Sequence, residues 1–145
     1  MGEVELEIPA RAAYLSLARQ VVAAAASVEP TFHRDRIEDL RLAVSEATTN
    51  AIEAHGEGWG DERIKIRCDL GDDRVEVEVI DRGAGFDPDA VVGPPDIDHP
   101  DRLEWERGLG LPLMRELTDE TEIRSSGGGT AVRLVVFRTA RPPEG

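Results

Sequence analysis

Between residues 64 and 79 the chain alternates with a period of two. Ile64, Ile66, Cys68 and Leu70 are separated by Lys65, Arg67 and Asp69, and Val75, Val77 and Val79 by Glu76 and Glu78. Successive side chains of a strand point to opposite faces, so this spelling puts the apolar residues on one face and the charges on the other. The connection Gly71-Asp72-Asp73 is too short for a crossover, which makes the pair an antiparallel hairpin. A sheet with one charged face is covered on the other face only. The expected fold is therefore a two-layer α/β (α+β) sandwich, a mixed, mainly antiparallel sheet with helices on one face.

The rest of the chain supplies both layers. Val4, Leu6 and Ile8 alternate with Glu3, Glu5 and Glu7, another half-buried strand. Pro9 suits the first turn of a helix, which Tyr14, Leu17, Ala18, Val21 and Ala25 continue at helical spacing. Its alanine-rich end could suggest close contact with another helix, but plain helix-forming filler is the expectation. Pro30 closes that segment, and Asp35 or a neighbour is expected to cap the next helix. In that helix Ile37, Leu40, Val44, Ala47 and Ala51 form a core-facing stripe. Glu46 and Asn50 are one turn apart, on a face roughly 100–140° round from the centre of the stripe. Thr121 to Arg124 and Ala131 to Arg138 read as a final hairpin around the glycine-rich run 125–130.

Composition narrows the partners. Seventeen basic and 30 acidic residues give a formal net charge of −13, which argues against a general nucleic-acid or anionic-membrane binder. A phosphate ligand needs only local donors and stays open. Cys68 is the single cysteine, so no intrachain disulfide forms, in keeping with a reducing compartment. His33, His55 and His99 lie far apart without cysteine partners, a poor zinc set. The start of the chain lacks the pattern of a signal peptide, and the apolar run from Val21 to Ala26 is too short to span a bilayer. A soluble cytoplasmic protein is expected, with one domain over residues 1–138 and a flexible tail over 139–145.

Several stretches carry chemistry. Glu46 can take a proton from a water or hydroxyl, while the amide oxygen of Asn50, one turn on, suits a hard cation such as Mg²⁺. Asp81-Arg82-Gly83-Ala84-Gly85-Phe86 follows the last strand of the hairpin. Its glycines let a flat ligand approach the main chain, and its aspartate can accept from an exocyclic amine such as N6 of adenine. Residues 87–106 are aperiodic, with four prolines and many aspartates, the character of a lid or a disordered segment. In Arg107-Gly108-Leu109-Gly110 the glycines precede a helix that starts near Leu111, with Pro112 in its first turn. Such a junction turns N–H groups towards phosphates, and Arg107 can add a charge-assisted bond. Taken singly, these stretches read more readily as a solvated helix face, an ordinary turn and a plain loop-to-helix junction.

In this order, followed by the Gly-Gly-Thr that ends at Thr130, they resemble the GHKL superfamily of ATP-binding proteins: gyrase, the large heat-shock chaperones, mismatch-repair ATPases and sensor histidine kinases. Residues 40–51 (LRLAVSEATTNA) and 106–114 (ERGLGLPLM) look like the short anti-sigma-factor serine kinases. The resemblance, which spans nearly the whole chain, implies the histidine-kinase-like ATPase (Bergerat) fold and Mg·ATP under a mobile lid. It implies Glu46 as general base, Asn50 as Mg²⁺ ligand, Asp81 as adenine contact and Gly83 and Gly85 as the adjacent turn. Gly108, Leu109 and Gly110 would supply phosphate-binding backbone, Arg107 a γ-phosphate contact, and Thr130 would close the adenine end. The implied partners are ATP/ADP, a sigma factor and a STAS-type anti-sigma-factor antagonist, with no direct DNA or membrane binding; a homodimer is compatible. Pro112 and the order Ala54-His55-Gly56 depart from the family pattern. The alternative function is a nucleotide-gated protein-binding module without phosphoryl transfer; Glu46 favours the kinase. A histidine-kinase catalytic domain would need a dimerisation segment bearing a phospho-accepting histidine, and a gyrase-type ATPase a transducer domain; neither is read in this sequence.

Overall fold

A computed structural model of the protein describes residues 2–28, 32–54, 63–81, 110–126 and 129–138. These residues form strands β1 (Gly2–Pro9), β2 (Arg63–Leu70), β3 (Arg74–Asp81), β4 (Glu120–Ser126) and β5 (Gly129–Phe137). The helices are α1 (Leu15–Ala26), α2 (Arg34–Ala54) and α3 (Leu111–Leu117). The five strands make one sheet in the order β1-β2-β3-β5-β4, antiparallel at every pairing. The hairpin expected from the period-two pattern is β2–β3, with Ile66 opposite Val79 and Cys68 opposite Val77. It is closed by the Gly71 N–H donating to the Arg74 carbonyl at 2.9 Å.

The two faces of the sheet differ as the alternation requires. Ile64, Ile66, Val77, Val79 and Leu134 face the helices and are essentially inaccessible, packed in one core with Leu40, Val44 and Ala47 of α2. On the other face one row crosses all five strands as Glu5, Arg67, Glu78, Arg133 and Glu122, alternating in charge at every step. Arg67 pairs with Glu78 at 3.2 Å, and Arg133 lies 3.9 Å from Glu122 and 2.5 Å from Glu76 in the next row. Exposed pairs of this kind contribute only about 0–1 kcal/mol each. Their larger effect is on register, because a slip of one residue would bring apolar side chains onto this face and charges into the core. Among the described residues no helix covers this face, and the expected two-layer sandwich is what forms, with every described pairing antiparallel where a mixed sheet was expected.

Several local expectations shift. Pro9 is the last residue of β1, opposite Arg63, and does not open a helix. β1 is an edge strand, where a missing N–H is tolerated. A 3-10 turn over Ala12–Tyr14 intervenes before α1 begins. The buried side of α1 is Ala18, Val22, Ala25 and Ala26, whereas Tyr14 and Leu17 are exposed. α1 packs chiefly on α2, and three of the four residues it buries are alanines, which fits close helix contact better than the expected filler role. The cap of α2 is His33, a neighbour of Asp35, whose Nδ1 accepts the Asp35 N–H at 3.1 Å, within the expectation of Asp35 or a neighbour. In the last hairpin both strands run further than expected, pairing out to Ser126 and Gly129.

Thr48 in α2 is fully buried, and its Oγ1 has no hydrogen-bond partner among the described residues. An unsatisfied buried hydroxyl costs about 1–3 kcal/mol. Thr48→Val keeps the branched shape and is expected to raise the thermal midpoint by roughly 3 °C, or about 1 kcal/mol. An unchanged or lower midpoint in calorimetry would mean that a buried water already satisfies the hydroxyl.

Candidate active site

Glu46 is half-buried on the flank of α2 that meets α3. Gly110 heads α3 in the left-handed conformation, φ 66° and ψ 20°. A Cβ placed on it would lie 2.8 Å from Glu46 Oε2, closer than real Cβ atoms approach an oxygen. The Glu46 carboxylate is thus seated against the bare backbone of Gly110. Glycine is required there twice, by the positive φ and by the carboxylate. The helix does begin at Leu111, with Pro112 in the first turn, and the Gly110 carbonyl accepts the Met114 N–H at 3.1 Å. With seven residues, α3 has a weaker end charge than a long helix, so this turn offers a ligand its N–H groups more than a macrodipole.

A second pair forms where β3 ends. Asp81 is 6% exposed and in phase with Val75, Val77 and Val79, so it lies on the helix-facing side. Directly opposite on β5 is Thr130, half-buried on the same side. Opposed residues of an antiparallel pair have Cβ atoms about 4.5–5.5 Å apart, which brings a carboxylate and a hydroxyl side by side. An ionised carboxylate only accepts hydrogen bonds, and a hydroxyl both donates and accepts, a combination matched to an amine-bearing heterocycle. α2 packs on both β3 and β5, so one scaffold carries Glu46, Asn50 and this pair. Asn50 is half-buried one turn beyond Glu46. Gly83, Gly85, Arg107, Gly108, Leu109, His55 and the expected lid over residues 87–106 lie outside the described residues.

Cys68 takes no part in nucleophilic chemistry. Burial, with a smaller contribution from the Asp69 charge, pushes its thiol up to about 11, so it stays protonated at neutral pH. Sequence reading passed over one charged contact, between Arg36 at the start of α2 and Asp119 just after α3. Asp119 Oδ2 also accepts the Phe137 N–H at 2.7 Å, and Arg36 Nε donates to the Phe137 carbonyl at 3.4 Å. The partners are 83 positions apart, beyond the reach of any local pattern.

Residues 8–136 match the histidine kinase-like ATPase domain, nearly the whole of the described fold. The chain belongs to the histidine kinase-like ATPase family. Within that family it is 38% identical over 134 residues to the serine-protein kinase RsbW of Bacillus cereus, covering 90% of this chain and 82% of the relative. It is 38% identical over 145 residues to the RsbW of Bacillus velezensis, covering 98% of this chain and 90% of that one. A crystal structure of the RsbU and RsbW domains of Rv1364c from Mycobacterium tuberculosis matches with a TM-score of 0.67 over 97% of this chain, at 24% identity. This chain spans only 34% of that longer one, and the likeness speaks for the fold. The GHKL resemblance read from the motifs is therefore borne out at the level of family and fold.

Proposed function

We propose that the protein is an ATP-dependent protein serine kinase and anti-sigma factor that regulates transcription by partner switching. One observation carries this reading: the carboxylate on α2 is seated against the glycine turn that heads α3. Relatives named serine-protein kinase RsbW, at 38% identity over most of the chain, support the same activity. ATP is the substrate. Asp81 and Thr130 hold the adenine end beside the Gly83 and Gly85 turn, while Gly108, Leu109 and Gly110 offer backbone to the phosphates and Arg107 contacts the γ-phosphate. Glu46 takes the proton from a target serine hydroxyl; the serine oxygen bonds to the γ-phosphorus as its bond to the β–γ bridging oxygen breaks, and ADP leaves.

Mg²⁺ fits the donors present. Among the described residues there is no cluster of three or more His, Cys, Asp or Glu, so no all-protein cage is at hand. Mg²⁺ bound with a nucleotide needs only one or two side chains besides the phosphates and waters, and the Asn50 amide oxygen suits it. When bound, the ion neutralises phosphate charge. Asn50→Ala is expected to weaken ATP binding about tenfold in the presence of Mg²⁺ and little in its absence. Calorimetry with and without chelator checks this, and equal losses in both would remove Asn50 from the metal.

The partners proposed are a sigma factor, held by the nucleotide-loaded protein, and a STAS-type antagonist, phosphorylated by it. The reading places the protein in the cytoplasm, as one domain over residues 1–138; the lid expected over 87–106 and the tail expected over 139–145 fall outside the described residues. Among the described residues no helix is long and apolar enough to cross a membrane. Incubation with γ-labelled ATP and small antagonist proteins of the same genome tests the proposal. Label on an antagonist serine supports it. Tight partner binding gated by nucleotide, without transfer, would establish a binding module in its place.

A further inference from the structure

α3 is held at both ends against α2. At its start Gly110 abuts Glu46; after its end Asp119 pairs with Arg36. Arg36 precedes Glu46 by ten residues on α2, about 15 Å at 1.5 Å per residue. Gly110 and Asp119 bracket the seven residues of α3 over a comparable length. The two helices are therefore antiparallel, with one contact at each end of the shared run. The Arg36–Asp119 contact is firmly built. The side chains are 16% and 9% exposed, and both hydrogen-bond the Phe137 backbone of β5. The Asp119 N–H donates to the Val135 carbonyl at 2.8 Å, and Thr118 Oγ1 donates to the Met114 carbonyl at 2.7 Å, closing the end of the helix. A slip of α3 along α2 would break this set and unseat Gly110 from Glu46 together.

We propose that Arg36 and Asp119 are positioning residues: their ion pair fixes the register of α3 on α2 and so seats the Gly110 turn against the Glu46 carboxylate. The link to the mechanical register stands on the contacts above; the link to phosphoryl transfer rests on the kinase reading.

Two variants test it, Asp119→Asn and Arg36→Lys, each measured well below its own unfolding midpoint. Arg67→Met, which removes a pair on the open face of the sheet, serves as control. Misplacing reacting groups by about 1 Å can cost ~10²-fold in rate, so partial loss of register should cost on the order of tenfold in kcat, with KM for ATP nearly unchanged. Hydrogen exchange of the Met114 amide, which bonds the Gly110 carbonyl, should quicken by a similar factor without any nucleotide. Arg36→Lys keeps the charge and should show the smaller effect in both readouts. If Asp119→Asn only lowers the midpoint, as the control does, with kcat and Met114 exchange at wild-type values, the latch is overturned. If the wild type transfers no phosphate to any partner, the kinase reading fails, and Met114 exchange alone decides the latch: faster exchange supports it, unchanged exchange overturns it.

Discussion

Glu46→Gln is expected to bind ATP as the wild type does and to transfer phosphate ~10²–10⁴-fold more slowly, the usual cost of removing a general base. The amide matches the carboxylate in shape, so it should still rest against Gly110, where Oε2 now lies. What it lacks is a site that accepts a proton at neutral pH. Positioning and charge neutralisation supply much of phosphoryl-transfer catalysis, so residual activity is expected. Partner binding should survive, because sequestration does not use the transfer step. Rate measurements at saturating ATP, with affinity measured separately, distinguish the two effects. A wild-type rate would reduce Glu46 to a side chain that merely fills space beside α3.

Gly110→Ala is expected to act on the same contact from the other side, with a loss of about 10²-fold in transfer and a lower thermal midpoint. Two costs combine. The left-handed backbone, φ 66°, penalises a Cβ by ~1–2 kcal/mol. The methyl would also fall 2.8 Å from Glu46 Oε2, the far end of a flexible side chain that can swing away. The protein should therefore fold, with its carboxylate displaced, and a displacement of about 1 Å suffices for a loss of this size. A double-mutant cycle separates the costs. In a Glu46→Ala background the steric part disappears, and Gly110→Ala should then lower the midpoint by the backbone penalty alone. Equal midpoint losses in the two backgrounds would mean that the contact has no energetic weight.

The layer architecture was legible because period-two alternation states which face is wet, and the row of alternating charge on that face answers it strand by strand. The stripe Leu40, Val44 and Ala47 was equally plain. Pro9 misled because its first-turn preference is a local rule, whereas its place on an edge strand is set by the pairing with Arg63. The cap of α2 was expected at Asp35 or a neighbour, and His33 was not singled out because imidazole is an uncommon cap and Asp35 offered the commoner chemistry. Within the candidate site, Glu46 and Asn50 came from helical spacing, and Asp81 from its position ahead of the two glycines. That Glu46 meets Gly110, and Asp81 faces Thr130, depends on how α3 and β5 return to the scaffold. Pairings of that kind, like Arg36 with Asp119, are tertiary and have no local signature.

The most direct test is the chemical identity of the phosphorylated residue after incubation with γ-labelled ATP and an antagonist partner. The account predicts acid-stable phosphoserine on the partner, formed by the wild-type protein and nearly absent with Glu46→Gln. Acid-labile phosphohistidine on the chain itself, or no label on a partner that binds in an ATP-dependent manner, would contradict it.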